Sequence, residues 1–216
     1  MNRPDRRSNA SAAERALIFA TCSRLLQYPD DVLVDQASLL REGVAAMGPQ
    51  AGGPLSIFLR HLGSHDLLEL QAEYVATFDL VRRNCLYLTY YLNGDTRRRG
   101  MALWRFQDAY RSRGLVVDGG ELPDFLPVVL ELAATEDEDL AAALLLEHRQ
   151  GIEVLRQSLD ERGSAYAEVI RALEVALPQP TPEILAAAMT LASEGPPAED
   201  VGLEPFFPVD SIGVRS

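Results

Sequence analysis

Apolar residues recur at helical spacing along most of this 216-residue chain, in short stripes separated by capping residues, glycines and prolines. Leu17, Ile18, Thr21, Cys22, Leu25 and Leu26 form the first stripe, behind Ser11 and Glu14 at the spacing of a capping box. Tyr28-Pro29 stops that helix, and Asp30 is placed to cap the next, with Val32, Leu33, Gln36, Leu39 and Leu40 inward. Residues 48–54 read as a loop of breakers before a short helix over 55–62. Ser64 opens a longer helix with Leu67, Leu70, Tyr74 and Phe78 on one face. A helix runs from Thr96 to Gly114, and the next begins at Pro123 or Asp124 with Phe125, Leu126, Val129, Leu130 and Ala133 inward.

Further on, Thr135 and Glu138 repeat the capping-box spacing, and residues 140–146 are apolar nearly all round, as in a buried central helix. Ile152, Leu155 and Leu159 lead to Gly163, Ser164 caps a stripe of Tyr166, Val169, Ile170, Leu173 and Leu177, and Thr181-Pro182 opens a last helix. Only LYLTYYL (86–92) has strand-like composition. It has no partner run, so residues 80–95 are assigned to a helix ending near Asn93-Gly94. The pattern predicts an all-α, single-domain bundle of roughly nine or ten helices over residues 11–194. Residues 1–10 read as a disordered leader and 195–216 as a proline-rich tail in which only Phe206-Phe207 could anchor.

Several function classes fall away on composition and spacing. A net charge of −12 argues against a general nucleic-acid binder, whose affinity rests on phosphate contacts. Cys22 and Cys85 lie far apart with no CxxC pair, which fits a reduced, cytoplasmic protein. No run approaches the ~20 apolar residues of a membrane span, so no direct membrane insertion is expected. His61 and His65 have metal-ligand spacing, but Gly63-Ser64 breaks the helix between them and His148 stands alone. Surface histidines and no metal are expected. No nucleophile elbow, Walker loop or dinucleotide fingerprint occurs, so no catalytic residues are assigned and the chain reads as no enzyme. Cys85, in an apolar aromatic stretch, reads as an inert thiol.

One stretch, 73–134, does not read as plain scaffold. It holds the single tryptophan, five of the seven tyrosines and a dense arginine run. Between 82 and 113 eight arginines face only Asp95 and Asp108, a local net of +6 in an acidic chain. These arginines either pair with the protein's own acids, such as Glu121, Asp124 and the acids at 136–139, or form a planar-donor site for an anion or a partner's carboxylates. Tyr74, Phe78, Tyr87, Tyr90, Tyr91, Trp104, Phe106 and Tyr110, beside that basic run, suggest a half-exposed groove for an amphipathic peptide helix.

EYVATFD (73–79), LYLTYY (86–91), GDTRRRG (94–100), the helix WRF…YR (104–111) and ELPDFLPVVLELAA (121–134) resemble the NarJ family, assembly chaperones of respiratory nitrate reductase within the wider TorD/DmsD group. LLQYPDD (25–31) and EPFFPV (204–209) agree more weakly. The resemblance implies an all-helical, non-catalytic cytoplasmic chaperone. It would bind the N-terminal peptide of the apo nitrate reductase catalytic (alpha) subunit and support molybdenum cofactor insertion. By motif position it implies peptide-binding roles for Tyr74, Phe78, Asp79, Tyr87, Tyr91, Arg97, Arg99, Glu121, Asp124 and Leu126; Trp104 and Tyr110 join them as aromatic residues of the same stretch. The wider group has a histidine after the turn aspartate where this chain has Phe125, and no cofactor is assigned. A client from another molybdoenzyme and a helical anion- or nucleotide-binding protein are the alternatives.

Overall fold

The structure, a computed structural model, describes residues 10–117 and 120–198. Most of the leader, most of the turn at 118–120, and the tail from 199 with Phe206-Phe207 lie outside the described residues. The described chain forms α1 (Ala12–Leu25), α2 (Asp31–Asp35), α3 (Ala37–Ala45), α4 (Pro49–Leu62), α5 (Leu67–Tyr74), α6 (Leu88–Asn93), α7 (Arg97–Ser112), α8 (Leu126–Thr135), α9 (Glu138–Glu147), α10 (Arg149–Glu161), α11 (Tyr166–Ala176) and α12 (Pro182–Glu194). It is all-α; the one extended pairing among the described residues is an antiparallel bridge between Tyr87 and Phe125. The helix α1 runs through the middle, packed along α8 and α11, while α4 covers α11, α10 joins α11 to α12, and α9 lies against α8. Ile18, Phe19, Cys22, Val129, Leu130, Val169, Ile170 and Leu173 form the buried seam.

Most predicted helices stand, and the departures have local causes. The box at Ser11 is half made: Ser11 accepts from the Glu14 N–H, but the Glu14 carboxylate turns away to accept from Gly48 N–H at 2.9 Å. A reciprocal box forms instead at Asp66 and Glu69, so α5 starts at Leu67 and not after Ser64. Of the breakers at 48–54, Gly48 is the cap residue and residues 49–54 lie inside α4, not in a loop. Pro49 takes the favoured first position, and Gly52 lets the α3 end approach, since a Cβ there would stand 3.0 Å from the Val44 carbonyl oxygen. The helix expected after Asp30 is divided at Gln36, which turns Leu33, Ala37 and Val44 inward and leaves Val32 and Leu39 exposed.

At the second predicted box, α8 continues through Thr135, whose hydroxyl donates to the Glu131 carbonyl, and Asp137 caps α9 in its place. That helix is not central: Ala141, Leu144 and Leu145 are buried and Leu146 is exposed. Ser164 bonds the Tyr166 N–H from one residue outside the cap position. His148, expected at the surface, is buried with Nδ1 at 3.0 Å from the Leu144 carbonyl and its ring against Phe106. His61 is half-buried, with Nε2 2.7 Å from Glu73.

The helix α10 is tied to α11 by Arg149, buried to 2% exposure, which pairs with Glu153 at 2.7 Å and Glu174 at 3.5 Å. Burial, then the nearby Glu153 carboxylate, pushes the Glu174 carboxyl up to about 7. Beside this network, Gly151 meets the ring of Tyr91, where an added Cβ would stand 2.7 Å from the ring edge. Gly151→Ala will therefore destabilise the fold although alanine is the better helix former by about 1 kcal/mol. Overpacking costs about 1–3 kcal/mol, so the net loss expected is about 1 kcal/mol, seen as a lower urea midpoint. A rise in the midpoint would show that Tyr91 yields without strain.

Candidate functional site

The chain from Arg82 to Tyr87 is not helical as expected; a 3₁₀ turn, Arg82–Asn84, leads into an extended segment, and α6 begins only at Leu88. The missing strand partner is the ELPD turn. Leu88 N–H donates to the Asp124 carbonyl at 2.9 Å and Leu126 N–H to the Leu86 carbonyl at 2.8 Å. Asp124 is fully buried and does not open α8, which starts at Leu126 with Phe125 as its cap residue. Its Oδ2 accepts from the Thr89 N–H at 3.0 Å and from the Thr89 hydroxyl at 2.6 Å, so it serves as a capping group for α6 from another part of the chain.

This strap forms one wall of a cavity of about 570 Å³. The opposite wall comes from the end of α5 and a π-helical turn, Val75–Asp79, in which Leu80 N–H reaches back to Val75 at 3.2 Å. Such single wide turns are found at functional sites and here bring Phe78 and Asp79 to the rim of the hollow. Gln27 and Tyr28, just past α1, and Pro127, Val128 and Glu131 of α8 complete the lining with Cys85, Leu86, Tyr87, Glu121 and Phe125.

Aromatic rings give the cavity its shape. Tyr28 stands edge-on to Tyr74 at 5.4 Å; Tyr74 and Phe78 pack on each other at 4.8 Å and on Tyr166 beneath. Tyr87 and Phe125 face each other at 5.2 Å. The Tyr74 hydroxyl donates to the Leu26 carbonyl, holding α5 to the end of α1. Burial and then the Asp79 carboxylate push the Tyr74 phenol upward, and burial and then the Glu121 carboxylate do the same to Tyr87. Burial also raises the Cys85 thiol, to about 11, so it stays protonated and inert at neutral pH. The charged residues lining the hollow are Asp79, Glu121 and Glu131, all acidic.

Of the residues singled out in the sequence, Tyr74, Phe78, Asp79, Tyr87 and Glu121 meet in this cavity. Arg99 touches it indirectly, its guanidinium 5.5 Å above the Tyr87 ring and 3.4 Å from Asp95. Tyr91, Tyr110, Asp124 and Leu126 are buried in the framework: the Tyr91 hydroxyl lies within 2.9 Å of the carbonyls of Arg83 and Cys85, and Tyr110 donates to the Pro123 carbonyl. Arg97 and Trp104 sit on the exposed side of α7, away from the hollow. Gln27, Tyr28, Pro127, Val128 and Glu131 were not singled out. The LLQYPDD segment did carry a signal for the first two. Of the arginines, Arg113 pairs with Asp137 at 2.8 Å, whereas neither Glu121 nor Asp124 has an arginine partner among the described residues. No helix among the described residues is long and apolar enough to cross a membrane, and no three of their His, Cys, Asp or Glu side chains are grouped to hold a metal ion.

Residues 45–172 match the family described as nitrate reductase delta subunit. The chain is 38% identical over 157 residues to nitrate reductase-like protein NarX of Mycobacterium tuberculosis, covering 73% of this chain and 24% of that protein. It is 30% identical over 171 residues to the probable nitrate reductase molybdenum cofactor assembly chaperone NarJ of Bacillus subtilis, covering 77% and 91%. With the NarJ of Escherichia coli the identity is 35% over 148 residues, covering 67% and 63%. This chain thus spans about a quarter of the NarX protein and nearly all of the Bacillus one. A match across 128 of 216 residues, together with a relative covered almost end to end, establishes that the chain belongs to the nitrate reductase delta subunit family.

Proposed function

We propose that this chain is an assembly chaperone for a respiratory nitrate reductase, with residues 11–194 as its chaperone domain. In this reading it acts in the cytoplasm, holds the N-terminal segment of the apo catalytic subunit and supports molybdenum cofactor insertion. The names carried by its Bacillus and Escherichia relatives support the chaperone role. The observation that carries the binding mode is the cavity itself: five aromatic rings, Tyr28, Tyr74, Phe78, Tyr87 and Phe125, ringed by Asp79, Glu121 and Glu131. Such a surface fits a helix with an apolar face and basic flanks. The rings supply attraction and the carboxylates orient the charge of the incoming segment. No arginine lines the hollow, so in this reading the acids and not the arginine run face the bound segment.

A segment that folds on binding loses about 2–5 kcal/mol to ordering, which keeps affinity moderate and release feasible. Calorimetry with the catalytic subunit's N-terminal peptide tests the assignment. Tyr28 is 49% exposed and rests on Tyr74 by one ring edge, so Tyr28→Ala removes an anchor and spares the core. A weakening of about tenfold is expected, the scale of one aromatic contact. Unchanged affinity in Tyr28→Ala and Tyr87→Ala, with the fold intact, would place the peptide elsewhere. Leu126→Glu is no test of contact, because Leu126 is buried in the framework.

A further inference from the structure

The helix α7 turns Phe106 and Tyr110 into the core and leaves a basic, partly apolar face outside. Arg98, Met101, Arg105, Asp108 and Arg111 follow one another three or four residues apart on that outer side, with Trp104 between Met101 and Asp108 at the same spacing, so three arginines outweigh one carboxylate there. Met101 is 59% and Trp104 52% exposed. No carboxylate among the described residues pairs with Arg98, Arg105 or Arg111, whereas Arg99 and Arg113 do have acid partners. An uncovered stripe joining arginine, methionine and tryptophan has the composition of an interface centre. It lies outside the acidic hollow and has the opposite charge.

The course of the chain indicates what covers it. After α12, Gly195 takes a φ of +79, and the Pro197 carbonyl lies against Gly94. A Cβ on Gly94 would stand 1.7 Å from that oxygen, so the approach requires glycine, as does its φ of +57. Gly94 lies just before Thr96, the cap residue of α7. The described chain thus ends, at residue 198, near the positive end of the α7 dipole. Its next twelve residues, EDVGLEPFFPVD, hold four acids, no base and one apolar pair, Phe206-Phe207. Twelve residues reach up to about 40 Å when extended, and a 16-residue helix such as α7 is about 24 Å long.

We propose that residues 199–210 dock along the outer face of α7, with the acids on Arg98 and Arg105 and the Phe206-Phe207 pair against Met101 and Trp104. The tail is then an internal cover for the basic stripe. This inference is independent of what the acidic hollow binds.

Trp104 is the single tryptophan, so its fluorescence in the full chain reports on the contact directly. Acrylamide should quench the wild type less than the Phe206→Ser/Phe207→Ser variant, by about twofold for a ring moved from a covered to a half-exposed state. Arg98→Glu/Arg105→Glu and high salt should open the contact in the same way. Phe206→Leu/Phe207→Leu should retain the protection. Circular dichroism checks that every variant stays folded. Equal quenching in the wild type and the serine variant overturns the proposal. Protection that disappears on dilution overturns it as well, because the occupant is then a second copy of the chain.

Discussion

Asp124→Ala will lower the unfolding free energy by about 3 kcal/mol, the largest effect of any single substitution proposed for this chain. The buried carboxylate accepts from both the amide and the hydroxyl of Thr89, at the first turn of α6. Truncation leaves both donors without an acceptor, and each buried unpaired group costs about 1–3 kcal/mol. The loss of a helix cap alone is typically about 1 kcal/mol. Thr89→Val removes the hydroxyl but keeps the amide bond, so about 1 kcal/mol is expected from it. The double variant should fall well short of the sum, since both changes act on one contact. Urea unfolding of the four proteins measures this cycle. A change below about 0.5 kcal/mol in Asp124→Ala, the range of ordinary surface substitutions, would show that water replaces the carboxylate without loss. The strap that Asp124 secures also positions Tyr87 and Phe125 in the hollow, so a folded Asp124→Ala protein should bind peptide less tightly.

The second large effect concerns charge at the hollow. Glu121 and Glu131 are both exposed, so reversing them leaves the core untouched. On the proposed binding mode, Glu121→Arg/Glu131→Arg should weaken binding of a client segment with basic flanks by about thirtyfold, roughly 2 kcal/mol, as two attractions become repulsions. Most of the change should appear in the association rate, because rim charges steer encounter. Added salt should weaken the wild-type complex and narrow the gap between the two proteins. Stopped-flow binding at two ionic strengths measures both. If the reversed protein bound as fast as the wild type, the carboxylates would not face the peptide.

Much of the fold is legible in the residues themselves. The Tyr166–Leu177 stripe is buried at every predicted position, and the caps at Asp30 and Thr181 form as read. These signals are local: they depend on residues three or four apart along one helix. Errors fall where a distant group takes over a local role. Glu14 leaves its own helix end for the Gly48 amide, the ELPD aspartate caps another helix, and the breakers at 48–54 continue into α4 because Gly52 permits close contact with α3.

The candidate site was half legible for the same reason. The EYVATFD segment places Tyr74, Phe78 and Asp79 near one another, and the structure sets them opposite Tyr87 and Glu121 in one hollow. Tyr91 and Tyr110 have the same chemistry but become framework, because each hydroxyl finds a backbone carbonyl inside the fold. Arginine density pointed toward a basic site. The stripe it makes lies on α7, and the hollow that gathers the rings is acidic.

By itself the sequence determined an all-α chain, the positions of most helices and the family resemblance, because helical periodicity and capping are short-range properties of the covalent chain. Only the tertiary structure decided which charges meet which rings. Tyr28, Tyr87 and Glu131 are far apart in sequence and share one cavity because α1, the 85–87 strap and α8 pack together, and packing is settled by the whole core at once.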